Sequence, residues 1–200
     1  MGKNKERKLS TMFRRTTYWH LLIGLIISSI VSVVSLRNNN LQMIKLREDV
    51  IKADESGVGV NDALNNLRQY VYSHMNTDLT SGNNAITPPI QLKNTYEKLV
   101  VAEKNRVADA NKKVSNDATA ICEQQFPAGQ LGERVQCVQN YITQNSLKEN
   151  VVPKELYQFD FVSPVWSRDL AGWSLVLSVG LLLLLAFRIS LDLWFKQRLE

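Results

Sequence analysis

Two stretches of this chain differ from everything around them. Residues 18–36 are nineteen consecutive positions without Asp, Glu, Lys or Arg, and residues 170–187 are eighteen more. A helix rises about 1.5 Å per residue and a bilayer's hydrocarbon core is roughly 30 Å thick, so each run is long enough to cross it. Arg188 closes the second run, and its aliphatic stem lets the guanidinium reach headgroup level without shortening the span. Pro88, Pro89, Pro127, Pro153 and Pro164 all lie outside both runs, so neither predicted span has a reason to kink.

Between the runs, apolar residues recur at helical rather than alternating spacing. The first helix is expected to continue past its span with Leu41, Ile44, Val50 and Ile51, then to stop at the glycine pair Gly57 and Gly59. Asn61 is placed to cap a second helix with Leu64, Leu67, Val71 and Met75 on one face. A polar loop follows over residues 76–87. Thr87-Pro88 then reads as the start of a long helix, Thr as N-cap and Pro in the first turn, running to about Gln125 and about 54 Å long. Its expected inward stripe is Tyr96, Leu99, Val100, Val107, Ala110, Val114, Ala118 and Ile121. Phe126-Pro-Ala-Gly129 turns the chain into a fourth amphipathic helix marked by Leu131, Val135, Val138 and Ile142. From Tyr157 to Trp166 aromatics alternate with polar residues ahead of Pro164, which suits an extended segment lying on headgroups. Ser167, with Asp169 behind it, is expected to cap the second span.

The resulting fold class is all-α: two transmembrane helices flanking an extracytoplasmic antiparallel helical bundle. Its divisions are a basic cytoplasmic tail (1–17), the first span (18–36), the helical domain (37–169), the second span (170–187) and a short amphipathic cytoplasmic tail (188–200).

Aromatic placement and charge give these divisions their orientation. Trp19, Trp166, Trp173 and Trp194 lie at or near the ends of the apolar runs, with Tyr18 beside Trp19, as expected of rings that are apolar in body and polar at one edge. The net charge of +5 is all in the first seventeen residues, where Lys3, Lys5, Arg7, Lys8, Arg14 and Arg15 face only Glu6. Residues 37–169 carry 15 basic and 16 acidic side chains, and residues 188–200 come to +1. Cytoplasmic flanks are enriched in Lys and Arg, so both termini are predicted inside and the helical domain outside. The basic run then speaks for an anionic inner leaflet and against nucleic acid, because the near-neutral domain has no phosphate-tracking face. An uncleaved anchor is preferred to a signal peptide ending near Val33-Val34-Ser35, since nineteen apolar residues followed by a helical continuation exceed a signal core. Glu6 stands where N-myristoylation expects Ser or Thr. None of the 16 asparagines in the outer segment begins an Asn-x-Ser/Thr acceptor, which points toward a bacterial envelope.

Cys122 and Cys137 are the only cysteines and flank the Pro127 turn in the segment predicted to be exported. A disulfide is the expected state there, ahead of two unpaired thiols or a redox pair, which lacks a Cys-x-x-Cys and a neighbouring His. Gly24, Ser28 and Ser32 put a small residue at every fourth position of the first span, and Ser174 and Ser178 repeat the spacing in the second. Such a groove lets another helix approach closely, either the other span or a second copy of the chain. Catalytic chemistry is not predicted. His20 and His74 lie on opposite sides of the predicted membrane, and no phosphate loop, nucleophile elbow, metal-ligand spacing or dinucleotide fingerprint occurs. No cofactor is expected.

In layout the chain resembles the four-helix-bundle extracytoplasmic sensory modules of bacterial chemoreceptors and sensor kinases: inner tail, span, outer helices, second span. The resemblance implies ligand sensing outside. This chain departs from it after the second span, where only a dozen residues follow Arg188, and in its short second and fourth helices. The expectation is therefore a non-enzymatic scaffold or adaptor in contact with membrane lipids, another envelope protein and a possible second copy of itself. A truncated ligand sensor relaying to a separate cytoplasmic partner is the alternative.

Overall fold

A computed structural model describes the backbone of residues 2–82, 86–127 and 129–197, with side chains from residue 18 to 194 within that set. The side chains of the basic tail, among them Glu6, lie outside the described residues, as do Asn83 and Asn84 of the predicted loop, Ala128 of the turn and the end of the C-terminal tail.

The described chain is all-α apart from one short ladder. It runs α1 (Gly2–Ser56), α2 (Val60–Ser73), β1 (Ile90–Gln91), α3 (Lys93–Gln125), α4 (Leu131–Asn145), a single 3-10 turn (Lys154–Leu156), β2 (Gln158–Phe159) and α5 (Leu170–Gln197). Two helical stretches, Tyr18–Ser56 and Leu170–Trp194, are long and apolar enough to cross a membrane. Both carry their large side chains outward: Ile23, Ile26, Ile27, Ile30 and Val33 on α1, and Leu177, Leu182, Leu183, Leu184 and Phe187 on α5 are exposed. A soluble core helix would bury such residues, and hydrocarbon is the solvent in which leaving them out costs nothing.

Two compact units form. The first comprises Met1–Ala53, Gly59–Pro89 and Asp160–Glu200, and the second Asp54–Val58 and Ile90–Phe159. Residues 37–169 are thus shared between them.

The helix α1 ends at the glycine pair as expected, with Gly57 and Gly59 both in the left-handed region that favours residues without a Cβ. Its buried stripe is not the expected one. Leu41 and Ile51 are exposed, while Ser28, Ser32, Ser35, Asn39, Met43, Arg47 and Val50 are buried at helical spacing. Of the expected residues Val50 is buried, but five of these seven inward positions are polar, so hydrophobicity alone does not mark the face. Arg47 is one of the five: its Nη1 donates to the carbonyls of Leu79 at 2.6 Å and Ser81 at 2.9 Å. Leu67 and Val71 of α2 are fully buried, and Met75 is buried just beyond the helix, as the spacing predicted. Asn61 does not cap α2. Gly59 occupies the N-cap position with no side-chain bond, and Asn61 lies within the helix.

The second unit corrects the start of α3. Thr87-Pro88 is a cis peptide and does not open the helix. Ile90 and Gln91 are instead extended, pairing antiparallel with Phe159 and Gln158, and α3 begins three residues later at Lys93. Ile90 and Leu92 are both buried, so burial of two apolar side chains in the ladder outweighs the local signal of Thr-Pro. The free amides of the first turn are taken by a distant residue. Buried Asp54 accepts from Asn94 N at 2.9 Å, from Thr95 N at 2.9 Å and from Thr95 Oγ1 at 2.5 Å. The cap comes from forty residues upstream, where no local signature can announce it.

Along α3 only Val107, Ala118 and Cys122 are buried; Tyr96 and Ile121 of the expected stripe are exposed. The turn at Pro127 leads into α4 as expected, but the α4 face that meets α3 is Arg134, Cys137, Val138, Tyr141 and Ile142, with Leu131 and Val135 outside. The bond from Cys122 to Cys137 turns the Cys137 face inward and rotates Leu131 and Val135 away from it.

Candidate functional site

Three local arrangements carry the chemistry of the chain. The first is the seam between the spans. Ser28 and Ser178 hydroxyls are 2.9 Å apart, Ser32 and Ser174 hydroxyls 3.1 Å, and a Cβ on Gly24 would lie 3.6 Å from Leu181 Cδ1. All five predicted packing residues therefore lie on one seam that faces the other span of the same chain, beside an apolar groove of about 450 Å³ lined by Gly24, Ser28, Ser174 and Leu181. The pairs run in opposite order along the two helices, so the helices are antiparallel. Each serine also bonds a carbonyl of its own helix or its partner serine, which leaves no hydroxyl bare in an apolar setting: Ser28 to Leu25 O, Ser174 to Ala171 O, Ser178 to Ser174 O.

The second is a polar junction where α1, the end of α2 and the start of α5 meet. Asn39 Nδ2 donates to Met75 O at 3.2 Å and to Asp169 Oδ2 at 2.7 Å. Ser167 Oγ accepts from Met75 N at 3.1 Å and donates to Asp169 Oδ1 at 2.7 Å. Asp169 Oδ1 also accepts from Gly172 N at 3.0 Å, so Asp169 rather than Ser167 is the cap of α5, and Ser167 orients it. Burial pushes the Asp169 carboxyl upward, but bonds from Ser167, Gly172 and Asn39, with the charge of His74 behind them, more than offset this and hold it below its usual value. Tyr70 is pushed the other way, raised by burial and then by the Asp169 charge. Its ring stacks on His74 at 4.0 Å, and His74 Nδ1 is 3.0 Å from Tyr70 O, so His74 closes the end of α2. Gly172 is needed here: a Cβ would be driven into the Ser167 carbonyl oxygen and come within 2.9 Å of Trp166 Nε1.

This junction sits at a definite level of the helix pair. About 30 Å of helix separates Trp19 from Asn39, and about 31 Å separates Trp194 from Trp173. Trp19, Trp166, Trp173 and Trp194 are all exposed, with Trp166 edge-on to Trp173 at 5.7 Å. At the opposite end the Tyr18 hydroxyl donates to the Asp192 carboxylate. Tyr18, Trp19 and Trp194 thus lie toward one end of the helix pair, and Trp166 and Trp173 toward the other.

The third is the α3–α4 hairpin. Cys122 and Cys137 Sγ atoms lie at bonding distance, 2.04 Å, and Cys122 is fully buried. Arg134 reinforces the turn by donating from Nε at 3.1 Å and Nη2 at 2.8 Å to the Phe126 carbonyl. Farther along, Asn111 Nδ2 donates to Leu147 O at 3.1 Å and its Oδ1 accepts from Leu147 N at 2.8 Å. The Glu103 carboxylate is gripped by Arg106 at 2.7 and 2.8 Å and accepts from Asn150 N at 2.9 Å, which lowers its pKa to about 2. A shallow groove of about 580 Å³ beside the start of α3 is lined by Glu55, Asn94, Glu97, Lys98, Ala102 and Asn105.

Sequence reading found the seam and the cysteine pair. It missed Asn39, Asp54 and Gly172. Only Asn39 had a visible signal, the run Asn38-Asn39-Asn40 directly after a span, where a buried amide is expected to find a partner. Among the described residues no group of three or more His, Cys, Asp or Glu is placed to hold a metal ion. No protein-family model matches the chain, and no curated protein and no solved structure matches it.

Proposed function

We propose that the protein is a two-pass membrane scaffold, with both termini cytoplasmic and residues 37–169 outside as an antiparallel helical bundle that binds a protein partner of the cell envelope. The orientation rests on the +5 charge of the first seventeen residues against a near-neutral middle, and on a disulfide that suits an oxidising compartment. The binding role is carried by one observation. α4 buries no residue, yet it is held in place by a covalent bond and turns Leu131, 67% exposed, and Val135, 54% exposed, outward. A helix fixed at that rotation presents an apolar face that water does not favour and a partner surface does.

Photo-crosslinking in intact cells tests this, with a reactive residue in place of Val135 and, as a control, in place of exposed Lys112 on α3. A discrete adduct with a different protein from position 135 and none from 112 is the expected result. Adducts only between copies of the chain would replace the adaptor by a homodimer, and no adduct from either position would sink the reading. Protease added outside must cut within 37–169 and spare both ends.

A second reading, a bacterial-type four-helix-bundle ligand sensor relaying to a separate inner partner, is favoured by the groove beside Glu97 and Lys98, whose mixed charge suits a small zwitterion. Protection of the α3 N-terminal amides from hydrogen exchange by a small-molecule extract, with no protein adduct at position 135, would decide for it.

A further inference from the structure

Arg188 is the first charge after eighteen uncharged positions of α5, and its environment is unusual. Its Nε is buried and has no hydrogen-bond partner. The acid spaced to neutralise it one turn on, Asp192, is turned to the Tyr18 hydroxyl, which also lies 3.4 Å from the Arg188 carbonyl oxygen. A buried guanidinium nitrogen without an acceptor is costly, so the site is incomplete as the chain alone builds it. What is missing is an anionic oxygen donor that a planar guanidinium can grip. Arg188 lies about 27 Å along α5 from Leu170 and about 9 Å short of exposed Trp194, a distance its long side chain can span toward headgroup phosphates. By sequence, Arg14 and Arg15 fall within about one helical turn of Tyr18.

We propose that Arg188 binds the phosphodiester of an anionic glycerophospholipid, at a site made by Arg188 and the Tyr18–Asp192 pair at the end of the two spans. The Tyr18 hydroxyl engages Asp192, the acid spaced one turn from Arg188. The basic flank raises the local concentration of anionic lipid, and Arg188 retains one molecule of it. Inorganic phosphate shares the chemistry and is the competing source. The inference rests on the membrane reading of α1 and α5.

The test uses the full chain in detergent micelles, with bound lipid counted by native mass spectrometry after addition of phosphatidylglycerol or phosphatidylcholine. The expected result is retention of phosphatidylglycerol over phosphatidylcholine, undiminished by excess inorganic phosphate, with R188Q binding about tenfold more weakly. R188K, which keeps the charge and loses the fork, is expected to fall between, and R168Q, an equal loss of charge at an exposed position just before α5, to bind as the parent does. Equal binding by R188Q and the parent overturns the site, as does an equal loss in R168Q. Displacement of the lipid by inorganic phosphate assigns the site to free phosphate and overturns the lipid assignment. A chain that stays in solution without detergent overturns the membrane reading itself, a result distinct from the failure of R188Q to matter.

Discussion

The paired spans and the α3–α4 hairpin are both antiparallel helix pairs, yet they are held by opposite means. Along the spans the contact is made of Gly24 and four serines, and the large apolar residues point away from it. Along the hairpin the contact is a disulfide, a few side chains and carbonyl bonds from Arg134 and Asn111, and α4 has no buried residue. On the proposed membrane placement, the solvent explains the difference. In hydrocarbon no hydrophobic force draws two helices together, so close approach of small residues and exchange of hydroxyl bonds decide the pairing. In water a hydrophobic contact helps in proportion to its area, and where that area is small a covalent link that restricts the unfolded chain supplies what is missing.

Removing the covalent link should give the largest effect. C122S with C137S is expected to destabilise the hairpin by about 3 kcal/mol, the chain-entropy value for a loop of this length, while leaving the spans paired in detergent. Urea unfolding followed by hydrogen exchange in α4 against α5 reads both halves, and a loss below about 1 kcal/mol would mean the hairpin has a core that the contrast denies it. G172A comes next, at about 1–3 kcal/mol, because the added methyl has backbone in its way rather than a movable side chain. G24A, which meets only Leu181 at ordinary contact distance, should be tolerated; equal damage from both would show that general crowding, not the junction, is being measured.

D169A removes the cap of α5 and a partner of buried Asn39, an expected cost of about 1–2 kcal/mol. The same carboxylate sets a pH dependence. Its folded pKa is held below the unfolded value, so its contribution is complete above the usual carboxylate range and fades as pH falls through the lowered value. Thermal unfolding in detergent should therefore show a D169A deficit that is constant from neutral to mildly acidic pH and vanishes only in strong acid. A deficit that vanished around neutrality would show that the Asp169 carboxylate is not the group responsible. The smallest effect belongs to the seam itself: S32A should cost about 0.6 kcal/mol, the usual worth of one interhelical bond in a membrane, and doubling it with S174A should add little because one bond joins the two residues.

What the sequence determined by itself follows from periodicity and from chemistry that acts over short distances. Nineteen and eighteen uncharged positions define two helices long and apolar enough to cross a membrane, small residues at every fourth place define their seam, and two cysteines around a Pro turn define the link. The end of α1 at its glycines and of α3 at Gln125 is legible for the same reason. Tertiary structure alone decided where α3 starts, because the groups that satisfy its first amides belong to Asp54 and the strand beside it belongs to Phe159. It also decided the faces of α1 and α4, where buried Asn39 and Arg47 are stabilised by carbonyls from remote segments and Leu131 is left outside by a bond made elsewhere on its helix. A hydrophobic pattern registers what a residue prefers in water, whereas these positions were settled by the partner that another part of the chain brings to them.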